Sequence, residues 1–192
     1  MRHACLLVFL LCGAPLALAA EPTGSTPTPE QINRYLQNPA SVVEMPNTRS
    51  PDGKYALCAV SIEGSTRGAA AILTADHKQC LAVTSARPYG IGIEDRRPQS
   101  YLTVLWSPDS RHIAIHDSIA KHSLLEVYAV GPSGARAVSI PDLIKLVTDG
   151  TNPAPALVSS GQDPIAWIDN THLAVEIRAK TEAGAILAKR HT

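Results

Sequence analysis

The sequence predicts an all-β, mainly antiparallel protein: an incomplete propeller-like body, or a twisted sheet or sandwich, of hairpin repeats with one or two short helices. Three observations carry that expectation. One turn-and-strand phrase occurs three times, as RSPDGKYAL from Arg49, WSPDSRHIAI from Trp106 and WIDNTHLAV from Trp167. The second copy starts 57 residues after the first and the third 61 after the second, and a recurring period of this order marks an internal repeat. Runs rich in Ala, Val, Ile and Leu follow each turn and are bounded by Gly, Pro, Asp and Ser, which is the pattern of strands in hairpins.

Taken from the N-terminus, MRHACLLVFLLCGAPLALAA reads as a signal peptide over 1–20. Arg2 and His3 precede an apolar run, and Ala17-Leu18-Ala19 supplies an A-x-A cleavage signal. The run is shorter than the roughly 20 apolar residues that cross a bilayer, so no stable membrane anchor is expected after cleavage. Residues 21–29, EPTGSTPTP, hold no large apolar residue and are expected to form a disordered leader. By length, 30–192 make one β-rich domain. It opens with a helix over roughly 30–37: Pro29 and Glu30 suit a first turn, Ile32, Tyr35 and Leu36 share a face, and Pro39 ends the segment.

The first repeat covers about 49–84. Ser50-Pro51-Asp52-Gly53 has turn chemistry, with proline pre-setting φ and Asp free to bond its own backbone; KYALCAVSI, GAAAILTA and CLAVTS follow as strands. The second, about 106–140, repeats the order with RHIAIHD, SLLEVYAV, a GPSG turn and ARAVSI. The third, about 167–190, has HLAVEIRA, a turn at TEAG and AILAKR. A covering helix is expected in IPDLIKLVTDG, opened by Pro141 and Asp142, striped by Leu143, Leu146 and Val147, and ended by Gly150.

The form S-P-D-G-[KR] followed by a hairpin resembles the WD40-like blade repeat of TolB-type β-propellers. Ser50 to Lys54 match it in full, Ser107 to Arg111 depart at the glycine, and the third copy keeps only Asp169. The resemblance implies blade-like units and names no reaction, because such blades serve enzymes and binding platforms alike. A closed ring needs at least four blades of about 40–45 residues. From Arg49 to Thr192 there is room for about three, so an open body is expected.

Composition narrows the function. Without the signal peptide the chain has 16 basic and 17 acidic residues and no basic stripe, which excludes nucleic acid as a partner. No phosphate loop, dinucleotide fingerprint or calcium loop occurs, and no cofactor is expected. With 45% apolar but only 4% aromatic residues, the core must be built from Ala, Val, Ile and Leu. Cys58 and Cys80 remain in an oxidising compartment, where a disulfide between them is expected. In a plain meander they lie two strands apart, about 9.6 Å, beyond the roughly 7 Å that a disulfide spans. Either they stay buried thiols, or the chain bends after Asp76 and folds Cys80 back. His112 and His116 point the same way along one strand but about 13 Å apart, too far to share a metal. No G-x-S-x-G elbow occurs, and no catalytic residue is assigned.

Two long connections remain: SARPYGIGIEDRRPQS over 85–100, and TNPAPALVSSGQDP over 151–164, where Ser159-Ser160-Gly161 lie near Asp163. Connections are usually four to six residues, and longer ones carry function or stay disordered. Tyr and Arg also dominate interface hot spots. Tyr89, Ile91, Glu94, Asp95, Arg96, Arg97, Ser159 and Ser160 are therefore the candidate partner contacts. The expected function is a secreted or periplasmic protein-binding module. In organisation the chain resembles small periplasmic immunity proteins, which implies an inhibitor that blocks a secreted hydrolase or toxin attacking the cell wall. The alternatives are a hydrolase or accessory fragment of a propeller-containing peptidase, and a structural protein of the envelope.

Overall fold

The computed structural model describes residues 26–63, 68–85, 102–118, 123–148 and 156–191. The signal-peptide region, most of the leader, and Tyr89, Ile91, Glu94, Asp95, Arg96 and Arg97 lie outside the described residues. The chain is mainly antiparallel β, as the repeats predict, but the strands divide into three sheets. Sheet 1 holds β1 (Val42–Glu44), β2 (Tyr55–Val60), β3 (Ala69–Thr74) and β4 (Cys80–Val83) in that order. Sheet 2 holds β5 (Leu102–Trp106), β6 (His112–Asp117), β7 (Leu124–Gly131) and β8 (Gly134–Ala137). Sheet 3 holds β9 (Leu157–Trp167), β10 (Leu173–Thr181) and β11 (Ile186–His191), with β10 central.

Each repeated turn joins a strand before it to a strand after it. The sequence signals only the latter, so β1, β5 and β9 are additions to the expected hairpins. They are short, or irregular in pattern: β1 has three residues, and β9 shifts register opposite Ala174/Val175. Each copy therefore closes a sheet of its own, and the copies meet by packing and turn contacts rather than by extending one ladder.

Period-two alternation divides the core into layers. In sheet 1, Tyr55, Leu57, Ala70 and Ile72 pack with Ile113, Ile115, Tyr128 and Val130 of sheet 2. The alternate residues Ala56, Cys58, Val60, Ala71 and Leu73 pack with Ile32 and Tyr35 of α1 (Pro29–Tyr35) and with its C-cap, Leu36. Sheet 2 sends Ala114, Leu125 and Val127 into a third cluster with Val175 and Ile177 of sheet 3 and Leu143. Sheet 1 is thus buried on both faces, which is why all six residues of β2 are buried and β3 can be alanine-rich. Burying this area at roughly 25 cal/mol per Å² is what holds the layers together.

Both expected helices form, one shorter than its sequence suggests. Thr28 caps α1 reciprocally: its Oγ1 accepts from Gln31 N at 3.3 Å and its N–H donates to Gln31 Oε1 at 2.7 Å. The covering helix shrinks to one turn, α2 (Lys145–Thr148), yet Leu143, Ile144, Leu146 and Val147 do line the third cluster. No helix among the described residues is long and apolar enough to cross a membrane.

The expected disulfide is absent: Cys58 and Cys80 are free, buried thiols. Cys58 stands opposite Ala71, and Cys80 opposite Leu73, so β3 lies between them and keeps them two strand spacings apart. After Asp76 the chain turns into β4 beside β3 and does not carry Cys80 across the sheet face. Burial pushes both thiols up to about 12. The second long connection is also corrected: from Leu157 onward it is β9, so Ser159 and Ser160 are strand residues, not loop residues.

Candidate functional site

The repeated turns are built alike. In the first, Ser50 Oγ donates to Asp52 Oδ1 at 2.7 Å, Asp52 Oδ1 accepts from Lys54 N at 3.1 Å, and Ser50 Oγ accepts from Tyr55 N at 3.0 Å. In the second, Ser107 Oγ donates to Asp109 Oδ1 at 2.7 Å, and the bonds from Arg111 N (3.1 Å) and His112 N (2.9 Å) recur. In the third, Asp169 Oδ1 alone takes Thr171 N (2.7 Å) and His172 N (2.8 Å). These bonds hold the carboxylates ionised. Burial works against Asp52, but hydrogen bonds from Ser50 and Lys54 outweigh it and bring that carboxyl down to about 2. The Ser107 hydroxyl lowers Asp109, and the backbone N–H of Thr171 lowers Asp169.

The turns also lock to one another. Asp52 N donates to Ser110 Oγ at 3.0 Å, and one repeat later Asp109 N donates to Asn170 Oδ1 at 3.2 Å. The indole of Trp106 donates to Thr48 O at 2.7 Å, and that of Trp167 to Leu105 O at 2.9 Å. Each indole rests near the ring that starts the preceding repeat's strand: Tyr55 and Trp106 have centroids 6.1 Å apart, His112 and Trp167 5.7 Å. Ser110 takes a glycine's place in the motif, at φ 60° where Gly53 has 73°. Its hydroxyl is the acceptor that the lock needs. These residues form a structural seam between successive repeats.

Titratable groups gather at the seam between β6 and β9. His116 is 4% exposed, and its Nε2 lies 3.3 Å from Asp163 Oδ1. Arg178 holds the other side of that carboxylate through Nη2 and, at 3.0 Å, Nε, with Glu176 3.8 Å from the guanidinium. Burial lowers the His116 pKa more than the Asp163 and Asp117 charges raise it, so the imidazole is neutral near pH 7. Ser123 stitches the same place: its N donates to Ser160 O at 3.0 Å and its Oγ accepts from Gln162 N at 3.1 Å. Two of the candidate contacts, Ser159 and Ser160, thus sit beside this cluster, with the Ser160 carbonyl engaged within the fold. Sequence reasoning placed His116 on an ordinary strand face, and no local signal marks its partner 47 residues on. No group of three or more His, Cys, Asp or Glu side chains gathers at metal-binding distance among the described residues.

The strongest surface feature is apolar. Six large hydrophobic side chains are markedly exposed among the described residues, and four belong to sheet 3 or its turn: Val158, Ile165, Ile168 and Ile186. Ile168 stands where the earlier copies carry Ser50 and Ser107. An open groove of about 460 Å³ beside α1 is lined by Asn33, Leu36, Val42, Asp76, His77 and Lys78, without a buried charge in it. Comparison of the chain with protein-family models, with curated proteins and with solved structures gives no match.

Proposed function

We propose that this chain is a secreted or periplasmic protein-binding module, and that its partner contacts sheet 3. The observation that carries the reading is the concentration of Val158, Ile165, Ile168 and Ile186 on a sheet whose buried face is already filled by Val175, Ile177 and Ala179. Val158 and Ile186 stand at one end of the β10 ladder and Ile165 and Ile168 at the other, so a partner that spans sheet 3 would cover apolar area at both ends. Near-neutral charge and a signal-type N-terminus support the same reading. Within this class the function is that of an inhibitor or immunity protein acting on a cell-wall-degrading enzyme, with the 85–100 connection adding Tyr89, Ile91, Glu94, Asp95, Arg96 and Arg97 to the contact.

The test is inhibition. The mature protein is titrated into peptidoglycan hydrolases secreted by co-resident bacteria, and residual lytic activity is read. Ile165→Asp with Ile168→Asp, and Arg96→Ala with Arg97→Ala, are each expected to weaken inhibition at least tenfold while the far-UV spectrum stays native. Full inhibition by both double variants would remove the surface assignment. No inhibition of any hydrolase by the wild type would remove the inhibitor reading. The His116–Asp163 pair favours the hydrolase reading instead, because a neutral imidazole beside a carboxylate is the arrangement of a general base. Turnover of a peptide or ester substrate, abolished by His116→Ala, would establish that reading.

A further inference from the structure

Two thiols lie in sheet 1, apart from the turn seams and from the His116 cluster. Cys58 is fully buried and Cys80 nearly so, and both pack in the layer under Ile32 of α1. A small apolar side chain suits that layer, and a free cysteine packs as one. The two share one face of the sheet, opposite Ala71 and Leu73 of β3. Two strand spacings, about 9.6 Å, lie between them, and the step from Ala71 to Leu73 lengthens the separation. A disulfide spans no more than about 7 Å between Cα atoms. A bridge between the two therefore requires β3 to leave its place. That strand sends Ala70 and Ile72 into one core layer and Ala71 and Leu73 into the other. Losing it removes the packing on both faces of sheet 1, so the bridge and the native sheet exclude one another.

In the unfolded chain nothing separates the pair. The cysteines are 22 positions apart, and the entropy of closing a flexible loop grows only slowly with its length. Thiol–disulfide exchange needs a reachable thiolate. Folding denies both requirements, since burial hides the sulfurs and pushes the thiols up to about 12, against about 8.5 for a free cysteine. We propose that Cys58 and Cys80 are a redox gate on folding: the chain reaches its native fold only with both thiols reduced, and a disulfide oxidant that meets it unfolded bridges the pair and holds it outside that fold. One cysteine thiolate attacks the oxidant, breaking its S–S bond and forming a mixed disulfide. The second cysteine displaces the oxidant's remaining sulfur and closes the bridge. The pair gives up two electrons and two protons, and the oxidant leaves as two thiols. This inference stands apart from the partner-binding reading, since it needs only the chain and a disulfide.

The experiment uses the mature chain, residues 21–192, unfolded and reduced in urea. One sample is diluted to refold with reductant present. A second is treated with oxidised glutathione in urea and then diluted. A third is refolded first and then given the same oxidant. Tryptophan fluorescence, far-UV signal and intact mass are read from each. The first is expected to regain the native signals. The second is expected to carry the Cys58–Cys80 bridge, seen as the loss of two hydrogens, and to stay non-native until reductant is added. The third is expected to form the bridge at least about a hundredfold more slowly than the chain in urea. Cys58→Ala with Cys80→Ala is expected to refold equally with and without the oxidant, and the wild-type samples decide the matter without it. A bridged chain with native signals overturns the proposal. So does a bridge that forms as fast in the folded chain as in urea, or a treated unfolded chain that carries glutathione and no bridge.

Discussion

His116 shows how one residue's surroundings set its chemistry. It lies on β6 with its ring buried against β9, facing Asp163, with Asp117 and Arg178 also acting on it. Burial disfavours the imidazolium more than Asp163 and Asp117 favour it, so the folded pKa lies below the value of about 6.5 in an unfolded chain. Between those two values the unfolded state binds more protons, and stability must fall as pH falls. The contribution is fully present above about pH 6.5 and drains away as pH drops through 6.5 towards the lowered folded value. Urea titrations from about pH 7 to about pH 5 are expected to show that decline in the wild type and a shallower one in His116→Gln. An equal slope in both would place the titration elsewhere. Asp52 adds a later acid limb: its carboxyl is lowered to about 2, so its contribution is present above about pH 4 and lost only below.

The turn, with the strand on either side, is the unit that repeats. The two locks between successive copies consist of an indole N–H on a carbonyl and a backbone N–H on a side-chain oxygen. The seam is therefore legible in the third copy even though that copy has lost the serine and proline. Asn170 still supplies the oxygen, and Trp167 still reaches Leu105 O at 2.9 Å. Replacing Trp167 by Phe keeps the ring against His112 and removes only the donor. The expected loss is about 1 kcal/mol, the net worth of one hydrogen bond, read as a lower urea midpoint at unchanged slope. A loss of several kcal/mol would mean that ring packing, not the indole bond, governs the seam.

Across the whole molecule sheet 2 is the hub. It shares one apolar cluster with sheet 1 and another with sheet 3, so neither neighbour can separate without exposing part of sheet 2. Trp106 reports on the first seam and Trp167 on the second. With each tryptophan in turn changed to Phe, the fluorescence of the other is expected to follow the far-UV signal through a single urea transition. Separate midpoints for the two seams would show that the third repeat opens alone. The same arrangement sets what is offered outside. Sheet 1 is covered by α1 on one face and by sheet 2 on the other, whereas sheet 3 keeps Ile165, Ile168 and Ile186 in solvent and β11 at its edge.

By itself the sequence determined what depends on neighbours along the chain: the three turns, the strands after them, the first helix, and hence an antiparallel β protein. Those signals are local, because Ser-Pro-Asp chemistry and period-two alternation act over a few residues. Only the tertiary structure decided that β1, β5 and β9 join from before each turn, that 157–164 is strand rather than loop, and that Cys58 and Cys80 stay apart with β3 between them. It also decided that Ser110 and Asn170 serve the preceding repeat, and that His116 meets Asp163. The turn locks and the His116–Asp163 pair join residues far apart in the chain, and even the added strands depend on pairing across a turn, so their approach is set by how whole sheets bury their faces. No local pattern records that geometry.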